Sequence, residues 1–246
     1  MTSIPSFVTT SLVRESHFLK YLSAASARAS AVHVSTFLGR PGFFAAKFRC
    51  SGCGGENNTF LPVCPQCLDE PQRPWREAYS IFAYRGSGRS MIRQFKFRHC
   101  SEIALPLGIL GAELLKNYEI ECDLIVPVPL NFLREMVRGY NQAELFARVI
   151  SQKSGIAFAN LLKSRFSFTN QRNRDRKERH KAIKKQFSLR HRVPSGSRIL
   201  LVDDIFTTGA TLHAAAELLL EAGAGSVTVL TAARRERLFQ KKLGVE

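Results

Sequence analysis

The stretch ILLVDDIFTTGATL, residues 199–212, decides the fold. Ile199 to Val202 is a run of four apolar residues, the pattern of a strand buried on both faces of a parallel sheet. Its carboxyl end delivers Asp203 and Asp204 to the sheet edge, where ligands of open α/β folds bind. Thr207, Thr208, Gly209, Ala210 and Thr211 follow as a small, hydroxyl-rich loop. That loop enters a helix predicted over 211–222 and stopped by Gly223. Backbone N–H groups and the helix N-terminus then converge on an anion.

Two neighbouring carboxylates repel each other, so placing both at one sheet edge calls for compensating donors. The vicinal hydroxyls of a sugar supply them, one to each carboxylate. Hydroxyls of Thr207, Thr208 and Thr211 can donate to a phosphate beside them. A diol acceptor next to a phosphate cradle describes a ribose 5-phosphate. The bland alternative is a strand, an Asp-rich turn and a capped helix with no ligand. The motif nevertheless specifies both halves of the ligand, which a lone glycine motif does not.

Outward from this stretch, strands alternate with helices. Strands are expected over 78–84, 123–128 and 226–232, and helices over 87–99, 105–118 and 141–154. The strand 123–128 ends in Pro127-Val128-Pro129, which cannot continue a regular element. This order predicts an α/β fold with a parallel, doubly wound sheet. The 246 residues suffice for one such domain plus a small module. No apolar run approaches the roughly 18 to 20 residues that cross a bilayer, and no secretory layout opens the chain. A cytoplasmic protein without a membrane span is expected.

Cys50, Cys53, Cys64 and Cys67 form two Cys-x-x-Cys pairs separated by ten residues. Without a secretory signal, paired thiols read as metal ligands rather than disulfides. Four thiolates make a closed tetrahedral site, so a structural Zn²⁺ is expected. Cys100 and Cys122 are isolated and read as buried or half-buried thiols. Pro71 and Pro74 form a short linker that ends at Trp75.

The formal net charge is +16, which favours polyanions: phosphorylated small molecules, nucleic acid or anionic lipid. Between Lys163 and Arg192 lie twelve basic residues and two acidic ones, hence +10 in one segment. That segment has almost no apolar periodicity before Phe187 and is expected to be a mobile loop. Residues 1–49 are rich in Ser, Thr and Ala, with six basic residues and one acidic, Glu15. Their composition resembles that of an organelle presequence, with a mis-called upstream start or a flexible arm as equal readings, and they receive no function.

With the cysteine pairs and the donor loop in this order, the sequence resembles the ComF family of competence-type phosphoribosyltransferases from about Cys50 onward. The resemblance implies a type I phosphoribosyltransferase fold over 75–246, preceded by a zinc ribbon and linker over 50–74. It implies phosphoribosyl pyrophosphate (PRPP) as ligand, with Mg²⁺, and Asp203, Asp204 and Arg179 as the catalytic set. VPVPLNFLREMVRGYNQ, residues 126–142, looks like the family's pyrophosphate loop. Val128, Pro129, Leu130, Arg138, Asn141 and Gln142 would contact the leaving group. Lys96 sits where the family has a lysine-bearing helix, and Gln171 with Glu178-Arg179 matches its hood loop over 163–192. The hood departs from the pattern at Ala182, Lys185 and Gln186, where the family has Asn, Gly and Ala. Two functions stay open. One is pentosyl transfer; the other is a non-catalytic, PRPP-responsive factor that binds single-stranded DNA, with a competence helicase as partner.

Overall fold

The computed structural model describes residues 49–57, 59–68, 72–165 and 186–235. The described elements in chain order are α1 (Pro65–Leu68), β1 (Ala78–Ala83), α2 (Gly86–Phe97), a 3₁₀ turn (Ser101–Ile103) and α3 (Ala104–Asn117). They continue with β2 (Leu124–Pro127), α4 (Phe132–Arg138), α5 (Gln142–Ser154), β3 (Ala157–Phe158), β4 (Leu162–Ser164) and β5 (Phe187–Leu189). The last are β6 (Arg198–Phe206), α6 (Ala210–Glu221) and β7 (Ser226–Arg234).

Five of the strands form a sheet in the order β1-β7-β6-β2-β3, every pair parallel. The apolar run that opens the signature explains why β6 is central. Ile199, Leu200, Leu201 and Val202 are essentially inaccessible to solvent, flanked by Ile125 and Val126 of β2 and by Val229 and Leu230 of β7. Each such side chain contributes about 1.5–3 kcal/mol relative to leaving it exposed. The α3 and α5 helices pack on each other beside the sheet. Gly108 permits this, since a Cβ there would lie 2.3 Å from Val149 Cβ.

Three differences from the sequence reading have physical causes. Strand β6 continues past Val202 to Phe206, because β7 pairs with it at Asp203↔Thr231 and onward to Phe206↔Arg234. Cross-strand pairing overrides the poor strand propensity of aspartate. A seven-residue helix, α4, occupies what was expected to be loop, with Asn131 accepting from Leu133 N–H as its cap and Gly139 closing it. The expected mobile loop over 163–192 begins and ends in regular structure. Its two ends meet as an antiparallel pair, Leu162↔Leu189 to Ser164↔Phe187. Gln171 and Arg179, on residues 166–185, lie outside the described residues, as does the leader before Arg49.

The cysteine module docks on the edge strand β1. Ala78 N–H donates to Ser51 O (2.8 Å), and Trp75 Nε1–H donates to Gly52 O (3.1 Å). Gly54 has φ +69°, and a Cβ there would sit 2.8 Å from the Tyr79 backbone, so only glycine fits this approach. Cys50, Cys53, Cys64 and Trp75 belong to one apolar cluster with Val126, Leu201, Phe206 and Leu219. Module and sheet share a core. No described helix is long and apolar enough to cross a membrane.

Candidate functional site

At the carboxyl edge of the sheet, the last turn of α2 brings Lys96 to Asp204, with Nζ 2.9 Å from Oδ1. Both side chains are largely withdrawn from water. Asp203 is half-buried, and its Oδ1 accepts from the Asp204 N–H at 2.8 Å. Burial, reinforced by the Asp204 charge, pushes the Asp203 carboxyl up to about 7, with Lys96 acting in the opposite direction. The donor that compensates the acid pair is therefore Lys96 in the protein alone, where the sequence suggested a sugar diol. A bound diol would meet a pair already partly neutralised.

The loop after β6 turns at Gly209, whose φ of +79° makes it the left-handed N-cap of α6. Thr207 and Thr208 are exposed, and Thr208 Oγ1 accepts from Ala210 N–H at 3.3 Å. A Cβ on Gly209 would lie 2.7 Å from Phe206 Cζ. Both the backbone sign and the contact forbid a side chain. Gly209→Ala is expected to cost roughly 1–3 kcal/mol in denaturant unfolding. An unchanged unfolding midpoint would contradict the strain.

The segment after β2 starts beside the acid pair, because Val128 N–H donates to Val202 O at 2.9 Å. Asn141 ties the far end of that segment back to its start. Its Nδ2 donates to Val128 O (3.0 Å), while its Oδ1 caps α5 by accepting from Ala143 N–H (3.0 Å). Pro129 and Leu130 lie between them, half-buried and outside regular structure. Gln142 is 1% exposed, and its amide donates to Phe95 O at 3.2 Å. The Tyr140 hydroxyl donates to the same carbonyl at 2.7 Å. These two donors clamp the final turn of α2, one residue before Lys96. Gln142 thus faces the protein, and the RGYNQ element places the lysine. Arg138 donates to Gln142 Oε1 (3.2 Å) and stacks 5.2 Å from the Phe97 ring. Burial lowers its pKa, opposed by the nearby Asp204 charge.

The four cysteines converge. All four sulfurs lie within 4.8 Å of one another, and Cys53 and Cys64 are 3.9 Å apart. Sulfurs at about 2.3 Å from a tetrahedral ion would stand roughly 3.8 Å apart, so the cluster fits a metal of that coordination. Cys64 N–H donates to Cys50 Sγ at 3.2 Å, which ties the two knuckles together. Hydrogen bonds from Cys50 and Cys67, joined by the Arg234 charge, hold Cys53 well below the ordinary thiol range. Burial pushes Cys64 up to about 11, a proton that a bound cation would displace. Cys100 and Cys122 stand apart from the cluster, both half-buried.

Two site residues escaped the sequence reading. Arg73 donates to Thr208 O (3.2 Å) and Arg234 to Thr207 O (3.3 Å), both from behind the signature loop. Neither sits in a motif, and no local pattern marks them.

Residues 112–242 match the phosphoribosyl transferase domain family. Competence protein F of Haemophilus influenzae is 30% identical over 194 residues, covering 75% of this chain and 84% of that protein. Competence protein ComFC of Bacillus subtilis is 32% identical over 162 residues, 65% of each chain. DNA utilization protein YhgH of Salmonella typhimurium is 32% identical over 188 residues, covering 73% of this chain and 81% of that protein.

Proposed function

Because the chain belongs to the ComF family of phosphoribosyltransferase-like proteins, we propose that it binds PRPP and transfers its phosphoribosyl group to a nitrogenous acceptor in the service of DNA uptake. The observation that carries this reading is the Asp203–Asp204 pair, opposed by Lys96, immediately before the glycine-turned loop of α6. In this reading Thr207 to Thr211 hold the 5-phosphate, and the two carboxylates accept from the ribose hydroxyls. Val128, Pro129, Leu130, Arg138 and Asn141 line the pyrophosphate side, with Gln142 as a positioning residue. Gln171 and Arg179 belong to the hood of the same scheme. Residues 50–74 form the metal module, with Zn²⁺ on the four cysteines, and 75–246 form the transferase domain.

In the transfer, the bond from the anomeric carbon to pyrophosphate oxygen breaks and the electron pair leaves with pyrophosphate. A bond to the acceptor nitrogen forms, and that nitrogen gives up its proton. Positive charge on the ribose grows between these events, beside Asp203 and Asp204, where preorganised carboxylates stabilise it. Mg²⁺ bound together with PRPP would supply charge neutralisation for the leaving group. The reading is tested by pyrophosphate release from PRPP with Mg²⁺ and a panel of bases, alongside calorimetric PRPP binding. Absence of PRPP binding sinks it.

A second reading, single-stranded DNA binding, is favoured by the outer face of α2. Arg89, Arg93 and Arg98 are exposed around Phe97, which is 66% exposed. Cations flanking an open aromatic ring suit a phosphate backbone with a stacked base. Arg89→Gln with Arg93→Gln should weaken binding of a labelled oligonucleotide and flatten its dependence on salt by about two counterions. An unchanged salt slope removes this face from the reading.

A further inference from the structure

The signature loop is held by two arginines, the buried Arg234 and the half-buried Arg73, and both lead back to the cysteine knuckle. In a planar trans peptide, the carbonyl of one residue and the N–H of the next point in opposite directions. Arg234 and Arg73 hold the Thr207 and Thr208 carbonyls, which turns the Thr208 and Gly209 amides to the opposite side. Arg234 is only 6% exposed, whereas both threonines are exposed, so the Thr208 amide faces the open side of the loop.

Each arginine has its own footing. The stem of Arg234 crosses Gly55 of the knuckle. A Cβ there would lie 3.3 Å from Arg234 Cγ, 3.6 Å from its Nε and 3.5 Å from Cys53 Sγ. That Nε is buried and, among the described residues, makes no hydrogen bond to nitrogen or oxygen, while the same guanidinium also donates to Arg235 O. A metal held by four thiolates is net negative, and a buried cation beside it offsets that charge. Arg73 stands 5.4 Å from the Trp75 ring, and Trp75 is the residue that donates to Gly52 O. The Phe206 ring, which shapes the turn at Gly209, meets Arg234 at 4.9 Å and Arg73 at 5.9 Å. It also meets the Trp75 ring edge-on at 6.1 Å.

We propose that the metal-bound knuckle is the support on which the 5-phosphate loop takes its shape, with Arg234 and Arg73 as positioning residues that carry this support. Loss of metal then loosens the phosphate end of the donor site and spares the pyrophosphate end. The latter is held separately, by Asn141 on Val128 and by Tyr140 and Gln142 on Phe95. The proposal rests on the reading of the loop as a ribose 5-phosphate cradle.

The test measures calorimetric affinity of the full chain for ribose 5-phosphate, for PRPP with Mg²⁺ and for pyrophosphate with Mg²⁺, with metal content determined in every sample. Arg234→Met and Arg73→Met are expected to retain the metal. Each should lose about tenfold in affinity for the first two ligands, the scale of one charge-assisted hydrogen bond, with pyrophosphate unchanged. Arg234→Lys, which keeps a donor and the charge, should recover part of the loss, and wild type stripped by a chelator at a temperature where circular dichroism shows it still folded should reproduce the pattern. Wild-type ribose 5-phosphate affinity in a metal-loaded variant overturns the proposal. So does an equal loss for all three ligands. Should Arg234→Met shed its metal or fail to fold, Arg73→Met decides alone, since it reaches the knuckle through Trp75 and touches no sulfur. Wild type that binds neither ribose 5-phosphate nor PRPP refutes the cradle itself, which is a different result.

Discussion

Asp203→Asn combined with Asp204→Asn is expected to abolish pyrophosphate release, by about a thousandfold or more, while the protein stays folded. Asparagine keeps an oxygen that can accept from Asp204 N–H or a ribose hydroxyl, but it removes the charge that faces the developing cation. Preorganised electrostatic groups of this kind are worth about two to three orders of magnitude each in rate. The change also removes the charge that Lys96 Nζ faces at 2.9 Å, and PRPP affinity should fall because an amide oxygen accepts from a ribose hydroxyl more weakly than a carboxylate does. Wild-type turnover in the double variant would remove the pair from the chemistry.

The single change Asp203→Asn separates function from stability. The folded-state pKa of Asp203 is raised to about 7, so the folded protein holds this proton more tightly than the unfolded chain does. Stability from this group is therefore present in full below the unfolded carboxylate range and is lost as pH rises towards 7. Asp203→Asn should raise the melting temperature at pH 8 and leave it nearly unchanged at pH 4. The PRPP affinity of wild type should fall below pH 7, as the carboxylate that accepts from ribose takes up a proton. A melting temperature lowered at pH 8 would contradict this account of the buried acid.

Cys50→Ser is the other large expected effect. Cys50 is fully buried within the shared core, accepts the Cys64 N–H and lies among the four converging sulfurs. Structural zinc sites contribute on the order of 10 kcal/mol of apparent binding free energy, so losing one ligand weakens metal and fold together. The variant is expected to lose stoichiometric zinc and to melt more than about 10 °C lower, or not to fold. Cys122→Ser, at a half-buried thiol outside the cluster, should change unfolding by less than about 1 kcal/mol. Full zinc content in Cys50→Ser, or no zinc in wild type, rejects the four-cysteine site.

The parts of the fold that could be read in the sequence are those whose signal is local. Ile199–Val202 and Leu124–Pro127 are apolar runs with sharp ends, and the sheet follows from them. The two cysteine pairs carry their own geometry. By contrast, α4 is hidden by its setting: Phe132, Leu133, Met136 and Val137 recur at helical spacing, but over less than two turns and inside a stretch that resembles a loop, and they bury nothing. The caps Asn131 and Gly139 add to that signal. Arg73 and Arg234 were invisible for a stronger reason. What they hold depends on the register of β7 against β6 and on how the knuckle docks, neither of which any stretch of sequence records. Gln142 was placed in the right element with a different neighbour, since a glutamine's amide cannot be assigned a direction from its position alone.

The clamp on the last turn of α2 has a consequence for how this protein tolerates variation. Its acceptor is the carbonyl of Phe95, a main-chain oxygen present whatever residue position 95 encodes. Drift at that codon can reshape the packing under the helix but cannot delete the acceptor. Two donors, Tyr140 and Gln142, share it, so loss of either leaves the other in place. The orientation of Lys96 is thereby buffered against loss of either donor, while the fully buried Phe95 ring is constrained by packing alone.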